Sequence, residues 1–81
     1  WDVSNVKSIA AMFENSAYNQ PLDNWVVSNV INMGGMFLNA SQFNQDISDW
    51  CVPNISSKPS YFDINSGFEN QTQLQPNWGC N

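Results

Sequence analysis

Apolar residues in this chain fall on a lattice that returns every 24 or 25 positions. Trp1, Trp25 and Trp50 mark its origin. Leu22, Trp25 and Val27 punctuate a short extended stretch, as Ile47, Trp50 and Val52 do one unit later. Val6, Ile9, Met12 and Phe13 then follow in steps of three and four, and so do Val30, Met33, Met36, Phe37 and Ala40. That spacing sets side chains on one face of a helix. Ser4 and Ser28 stand just ahead of these runs, where a hydroxyl can accept from a free backbone N–H and cap the helix. Gly34-Gly35 weakens the second run by about 1 kcal/mol per glycine relative to Ala, so a short or partly 3-10 helix is expected. Polar stretches at 15–24 and 39–49 return the chain to the next strand.

Other coincidences hold the same register. Ser4-Asn5-Val6 recurs as Ser28-Asn29-Val30 and, altered, as Pro53-Asn54-Ile55. Met12-Phe13 recurs as Met36-Phe37 and Tyr61-Phe62, and Asn19-Gln20 as Asn44-Gln45. One unit cannot bury its Trp, Met and Phe alone, whereas stacked coils with strands about 4.8 Å apart can. The expected core stack sets Trp1 over Trp25 over Trp50, and Phe13 over Phe37 over Phe62. Trp25 and Phe37, flanked on both sides, should be the most buried aromatics. The fold expected is an α/β repeat solenoid of coils with one short strand and one short helix. Residues 1–24 form repeat 1, 25–49 repeat 2, 50–62 a partial repeat 3, and 63–81 a C-terminal cap, all in one continuous domain. Pro53, Pro59 and Pro76 interrupt any further coil, and Phe68, Leu74 and Trp78 are spaced to cover its end.

The string W-x-V-S-N-V-x-x-M-x-x-M-F-x-N-A-S-x-F-N-Q resembles the BspA-like family of bacterial surface-protein repeats. Residues 25–49 carry it almost whole, and residues 1–24 carry it with Ile9 and Ala11 departing. The resemblance implies leucine-rich-repeat-like coils, a secreted or cell-surface location, and a role in adhesion or protein contact. The family has no shared active site, so no catalytic residues come with it. Cys51 and Cys80 are the only cysteines, and without any His a zinc site is excluded. A disulfide between them fits a small domain and the extracellular location that the resemblance implies.

Charge narrows the partners. Lys7 and Lys58 are the only basic side chains and the net charge is −5. Phosphate backbones need clustered Lys and Arg, so nucleic acid is excluded and anionic membranes are disfavoured. No apolar run approaches the ~20 residues of a membrane span, so membrane insertion is not expected. The chain opens on Trp1 without a signal peptide, which reads as a processed product or excised fragment. Two full units are fewer than a stack normally needs. The N-terminal face should therefore be covered by further repeats or by another subunit, as the C-terminal part of a longer array.

Other residues invite chemistry and have plainer readings. Ser4-Asn5-Val6-Lys7 matches the S-x-x-K nucleophile motif, yet the partner motifs are missing and Lys7 becomes Ile31 in the next unit. Asp23, Asp46 and Asp49 suggest paired acids or calcium ligands, but carboxylates on polar returns usually cap turns. The register sets Asn5, Asn29 and Asn54 in one column and Asn19 and Asn44 in another, where amides can satisfy turning backbone. Sequons at Asn39, Asn54 and Asn70 are possible glycosylation sites only in a eukaryotic secretory pathway, and Asn70 is then the best acceptor. No catalytic residue, cofactor or metal is expected. The function expected is a non-catalytic extracellular surface module binding a protein or glycan. The alternative is a structural subunit whose copies assemble into a filament, coat or matrix.

Overall fold

In the computed structural model, which describes residues 2–80, the apolar steps of three close β-turns and not helices. Val30 donates its backbone N–H to Val27, Met36 to Met33, Ala40 to Phe37, Phe43 to Ala40 and Trp50 to Ile47, each at 3.0–3.1 Å. In each of these turns an inward-facing residue bonds to the inward-facing residue three positions earlier. Between these turns, alternate N–H groups leave for the neighbouring unit. Ile9, Ala11, Phe13 and Asn15 donate to Asn32, Gly34, Met36 and Leu38 at 2.9–3.0 Å. Met12, Glu14 and Ser16 donate within their own unit, to Ile9, Ala11 and Phe13. An α-helix needs an unbroken run of i→i−4 bonds, and half of the donors here are spent elsewhere. Ala11, Asn15, Gly35 and Asn39 also hold φ between 59° and 66°, a left-handed conformation that ends any helix.

The expected α/β solenoid of strand-plus-helix, leucine-rich-repeat-like coils is therefore overturned. Among the described residues there is no α-helix, and the one helical element is a 3-10 turn at Thr72–Leu74. A two-stranded sheet pairs β1 (Cys51–Val52) with β2 (Asn77–Trp78) in parallel, Cys51 beside Asn77 and Val52 beside Trp78. Ser4 caps no helix: its hydroxyl donates to Asp2 at 2.7 Å.

The units do lie on one another, as three layers of turns. Ser8 pairs with Asn32, 24 residues on. From the second layer to the third the offset lengthens, because Gly35, Phe37 and Asn39 donate to Ser60, Phe62 and Ile64. By the rule of the first pair, Tyr61 is then the counterpart of Gly35, and Asp63 that of Phe37. Backbone angles agree, since Ala11, Gly35 and Tyr61 share positive φ, as do Asn15, Asn39 and Asn65. Phe62 accordingly leaves the expected column and takes the place of Met36. Its ring meets Phe37 edge-on at 5.4 Å and 88°, whereas Phe13 and Phe37 stack at 5.5 Å and 6°. Trp25 stacks on Trp50 at 6.0 Å, and Trp50 donates its indole N–H to the Leu22 carbonyl at 2.9 Å. Trp1, expected above them, lies outside the described residues. Phe37 is fully buried, but Trp25 is only half-buried.

Layer pairing continues beyond residue 62. Gly67 donates to Ala40 and Ile47 to Leu74, after which β2 lies against β1 and the Cys51–Cys80 disulfide closes the end. Gly67 lies where no side chain fits: a Cβ there meets the Phe43 carbonyl oxygen at 2.6 Å and that of Ser41 at 3.0 Å. Gly67→Ala must push the third layer off the second. The expected loss is about 2 kcal/mol in urea denaturation, within the usual range for overpacking. An unchanged midpoint would show that the two layers are not in close contact there.

Candidate functional site

The N-terminal face carries the features that could meet a partner. Val3, Ile9, Phe13 and Leu22 keep 3–7% of their surface exposed, while Val27, Met33, Phe37 and Ile47 in the second layer keep 0–2%. Among the described residues, the second layer is covered on both sides and the first on one. Beside this edge lies a cleft of about 400 Å³ lined by Tyr18, Pro21, Leu22 and Trp25. Its rings are held from behind. Tyr18 stacks on Phe13 at 4.8 Å and its N–H is taken by the Ser16 hydroxyl, while Trp25 lies 6.0 Å from Phe13. Fixed rings around an apolar floor make a preformed surface, the kind that recognises apolar or planar groups.

The same face has a chemical polarity. The carbonyls of Asn32, Gly34, Met36 and Leu38 accept from the first layer. Their first-layer counterparts, on Ser8, Ala10, Met12 and Glu14, have no protein donor among the described residues.

At the opposite end, Asp63 is a buried carboxylate in the place of a phenylalanine, with 3% exposure. Its Oδ2 accepts from Gln75 Nε2 at 2.8 Å, the Asn70 backbone N–H at 3.0 Å and Lys58 Nζ at 3.1 Å. Burial pushes the Asp63 carboxyl up, but the Asn70 N–H, the Gln75 amide and Lys58 together outweigh burial and hold it below the ordinary carboxylate value. A lowered native value means that this stabilisation is present above the unfolded value near 4 and is lost as pH falls through the folded one. Asp63→Asn should therefore cost about 2 kcal/mol at neutral pH, the range for a hydrogen-bonded buried charge. Its stability should also fall less steeply than that of the native chain below about pH 4. Asp2 and Asp46 keep some slope in the variant. Hydrogen bonds from the side chain and backbone of Ser4 lower Asp2, and those of Ser48 lower Asp46. Equal acid slopes in urea titrations of the two proteins would count against the clasp.

The other residues marked in the sequence are scattered. Asn39 accepts at its side-chain oxygen from the Asn65 amide at 3.1 Å, and the Asn54 amide donates to the Ser28 carbonyl at 3.2 Å. Asn29 ties to Ser4 in the same way, and Asn19 accepts from the Asn44 N–H and from Gln45. These amides bond layer to layer. Asn70 is exposed, and among the described residues its side-chain amide has no hydrogen-bond partner. Asp23, Asp46 and Asp49 lie on the exposed returns. Among the described residues no three His, Cys, Asp or Glu side chains converge as metal ligands would, and no helix is long and apolar enough to cross a membrane. The cleft and the Asp63 clasp were missed from the sequence. A signal for the clasp was the third-unit Asp63, five residues from one of only two lysines.

These features define a small disulfide-closed domain of stacked turns with one open, aromatic-edged face. The chain belongs to the family described as "Mycoplasma protein of unknown function, DUF285", which matches it over residues 1–78. No curated protein and no solved structure matches it.

Proposed function

We propose that this chain is a non-catalytic contact module of an extracellular or cell-surface protein, and that it meets a protein partner through its N-terminal face. The observation that carries the reading is the preformed cleft of Tyr18, Pro21, Leu22 and Trp25 beside a core edge covered on one side only. Two further points support it. The Cys51–Cys80 disulfide suits an oxidising compartment. Within the family, the W-x-V-S-N-V string at Trp25 supports the finer kinship with BspA-like surface repeats. Assembly into a filament or coat is the weaker reading, because the far end is closed by the tail and its disulfide, and endless stacking needs two open ends.

Pro21 is exposed on the rim of the cleft, so Pro21→Glu places a charge there without disturbing the core. The variant should melt within about 2 °C of the native chain, as surface substitutions do. The oxidised chain, immobilised and presented with extracellular-matrix proteins and with a glycan array, should bind a protein, and P21E should weaken that binding at least about tenfold, the scale of a lost anchor. Glycan binding alone, no binding at all, or protein binding indifferent to P21E would each count against the reading.

A further inference from the structure

Most of the acidic side chains are spent on the fold. Asp2 and Asp46 take the backbone N–H groups of Ser4 and Ser48 at 3.0 and 2.9 Å, Glu69 takes that of Asn65 at 3.1 Å, and Asp63 lies in its clasp. Glu14, Asp23 and Asp49 are exposed and, among the described residues, accept no hydrogen bond and join no ion pair. Two of these three uncommitted carboxylates belong to the turns around the cleft. Asp23 is the first central residue of the turn that Trp25 closes on Leu22 at 3.1 Å, so it stands between two residues of the cleft wall. Asp49 lies in the matching turn of the second layer, closed by Trp50 on Ile47 at 3.0 Å, and the Trp50 indole ties that turn to the Leu22 carbonyl at 2.9 Å. No lysine lines the cleft, and Lys58 is already paired with Asp63. The cleft thus joins an apolar floor to a negative rim, in a chain of net charge −5.

We infer that the cleft takes an arginine side chain of a protein partner. The inference rests on the proposed contact role of this face and names the chemistry of what meets it. Arginine answers both halves of the site. Its methylene stem covers apolar surface while the charged head stays at the rim. The guanidinium is planar and weakly hydrated, so it can lie against a fixed ring such as Tyr18 and fork onto a carboxylate such as Asp23. Asp23 has no internal partner to give up, so the contact breaks no bond of the fold. Trp25 serves only as the wall behind, and no free ring face is asked of it. A wholly apolar side chain would fill the cleft and leave the carboxylates unanswered. An acidic or sulfated ligand would meet repulsion at the rim.

Two blocked peptides, Ac-Gly-Ser-Arg-Ser-Gly-amide and the same sequence with citrulline, test this by amide NMR titration of the oxidised chain. Citrulline keeps the shape of arginine and lacks its charge. The arginine peptide should move the signals of Tyr18, Leu22, Asp23 and Trp25. It should bind at least about threefold more tightly than the citrulline peptide, the scale of one exposed ion pair. That preference should shrink in Asp23→Asn, vanish in the D23N/D49N double variant, and fade in about 1 M NaCl, where charges are screened beyond about 3 Å. Asn is at home in turns, so both variants should keep the native amide spectrum away from the substituted positions. Pro21→Glu removes part of the wall but adds a carboxylate, so it should weaken both peptides and leave arginine the preferred one. Equal binding of the two peptides, a preference that survives D23N/D49N, or shifts absent from the cleft would overturn the inference. A protein partner sensitive to P21E, found beside indifference to arginine, would reject this chemistry alone and leave the contact role standing. Arginine preference with no protein bound would reject the contact role and keep the specificity of the cleft.

Discussion

Phe37→Ala is expected to leave the domain largely unfolded at room temperature. The ring has no exposed surface, stacks on Phe13 at 5.5 Å and on Phe43 at 4.3 Å, and takes the edges of Phe62 and Phe68 at 5.4 and 5.3 Å. All three layers therefore meet on this one side chain. Removing a buried phenylalanine costs about 3–5 kcal/mol when the walls cannot collapse. Collapse is restricted here, because the backbones above and below Phe37 are pinned by inter-layer hydrogen bonds. A domain of this size sits near the lower end of the usual 5–15 kcal/mol, so the loss takes most of its stability. Urea unfolding followed by tryptophan fluorescence reads the result directly. A native midpoint in F37A would mean that the layers are held by something other than this aromatic column.

Reducing the disulfide should have the next largest effect, and the effect should begin at one end. Cys51 and Cys80 stand 29 residues apart with Cα atoms 5.2 Å from each other. Closing a loop of that length is worth about 3–4 kcal/mol on the chain-entropy account. What the bridge protects is slight: β2 is two residues long and held by the N–H groups of Asn77 and Gly79 on Trp50, Val52 and Ile55. Trp78 adds an edge contact to Phe62 at 5.0 Å. With dithiothreitol the melting temperature should drop, and exchange at Asn77 and Gly79 should accelerate before that at Phe13 or Phe37. An unchanged melting temperature, or first-layer amides opening earliest, would assign the bridge no stabilising role.

Much of the core was legible in the sequence because burial follows the apolar lattice. Val30, Met33, Met36, Phe37 and Ala40 keep that spacing and all are buried. The element they build differs from the expected helix for a physical reason. A chain of β-turns closing on every third residue and a helical face of 3.6-residue period produce nearly the same apolar steps over ten residues. The discriminating signs were Asn15, Asn39 and Gly35, residues tolerant of left-handed φ recurring inside the supposed helices. Register failed in the third layer because Phe62 follows Phe37 by 25 residues and satisfied the aromatic pattern. The backbone instead gives that place to Asp63. A carboxylate in an aromatic column runs against every burial rule until Lys58, Asn70 and Gln75 are seen around it. The cleft could not be read either, since Tyr18, Pro21 and Leu22 fall in a return that looked merely polar.

The bonds that join one layer to the next set how this molecule must assemble. Across the stack the backbone bonds between layers link residues 23 to 27 apart, and among the described residues none joins the first layer directly to the third. Every layer then closes a loop of nearly equal length, at nearly equal entropic cost, since that cost grows only with the logarithm of length. Among the described residues no α-helix supplies a short-range nucleus beforehand. The first productive event must be the meeting of two chain segments about 25 residues apart, and the remaining layer adds to whichever pair forms. Folding should consequently be slow for so small a chain, in the millisecond-to-second range of proteins dominated by distant pairings. The terminal layers can open singly while the central one stays between whatever neighbour remains.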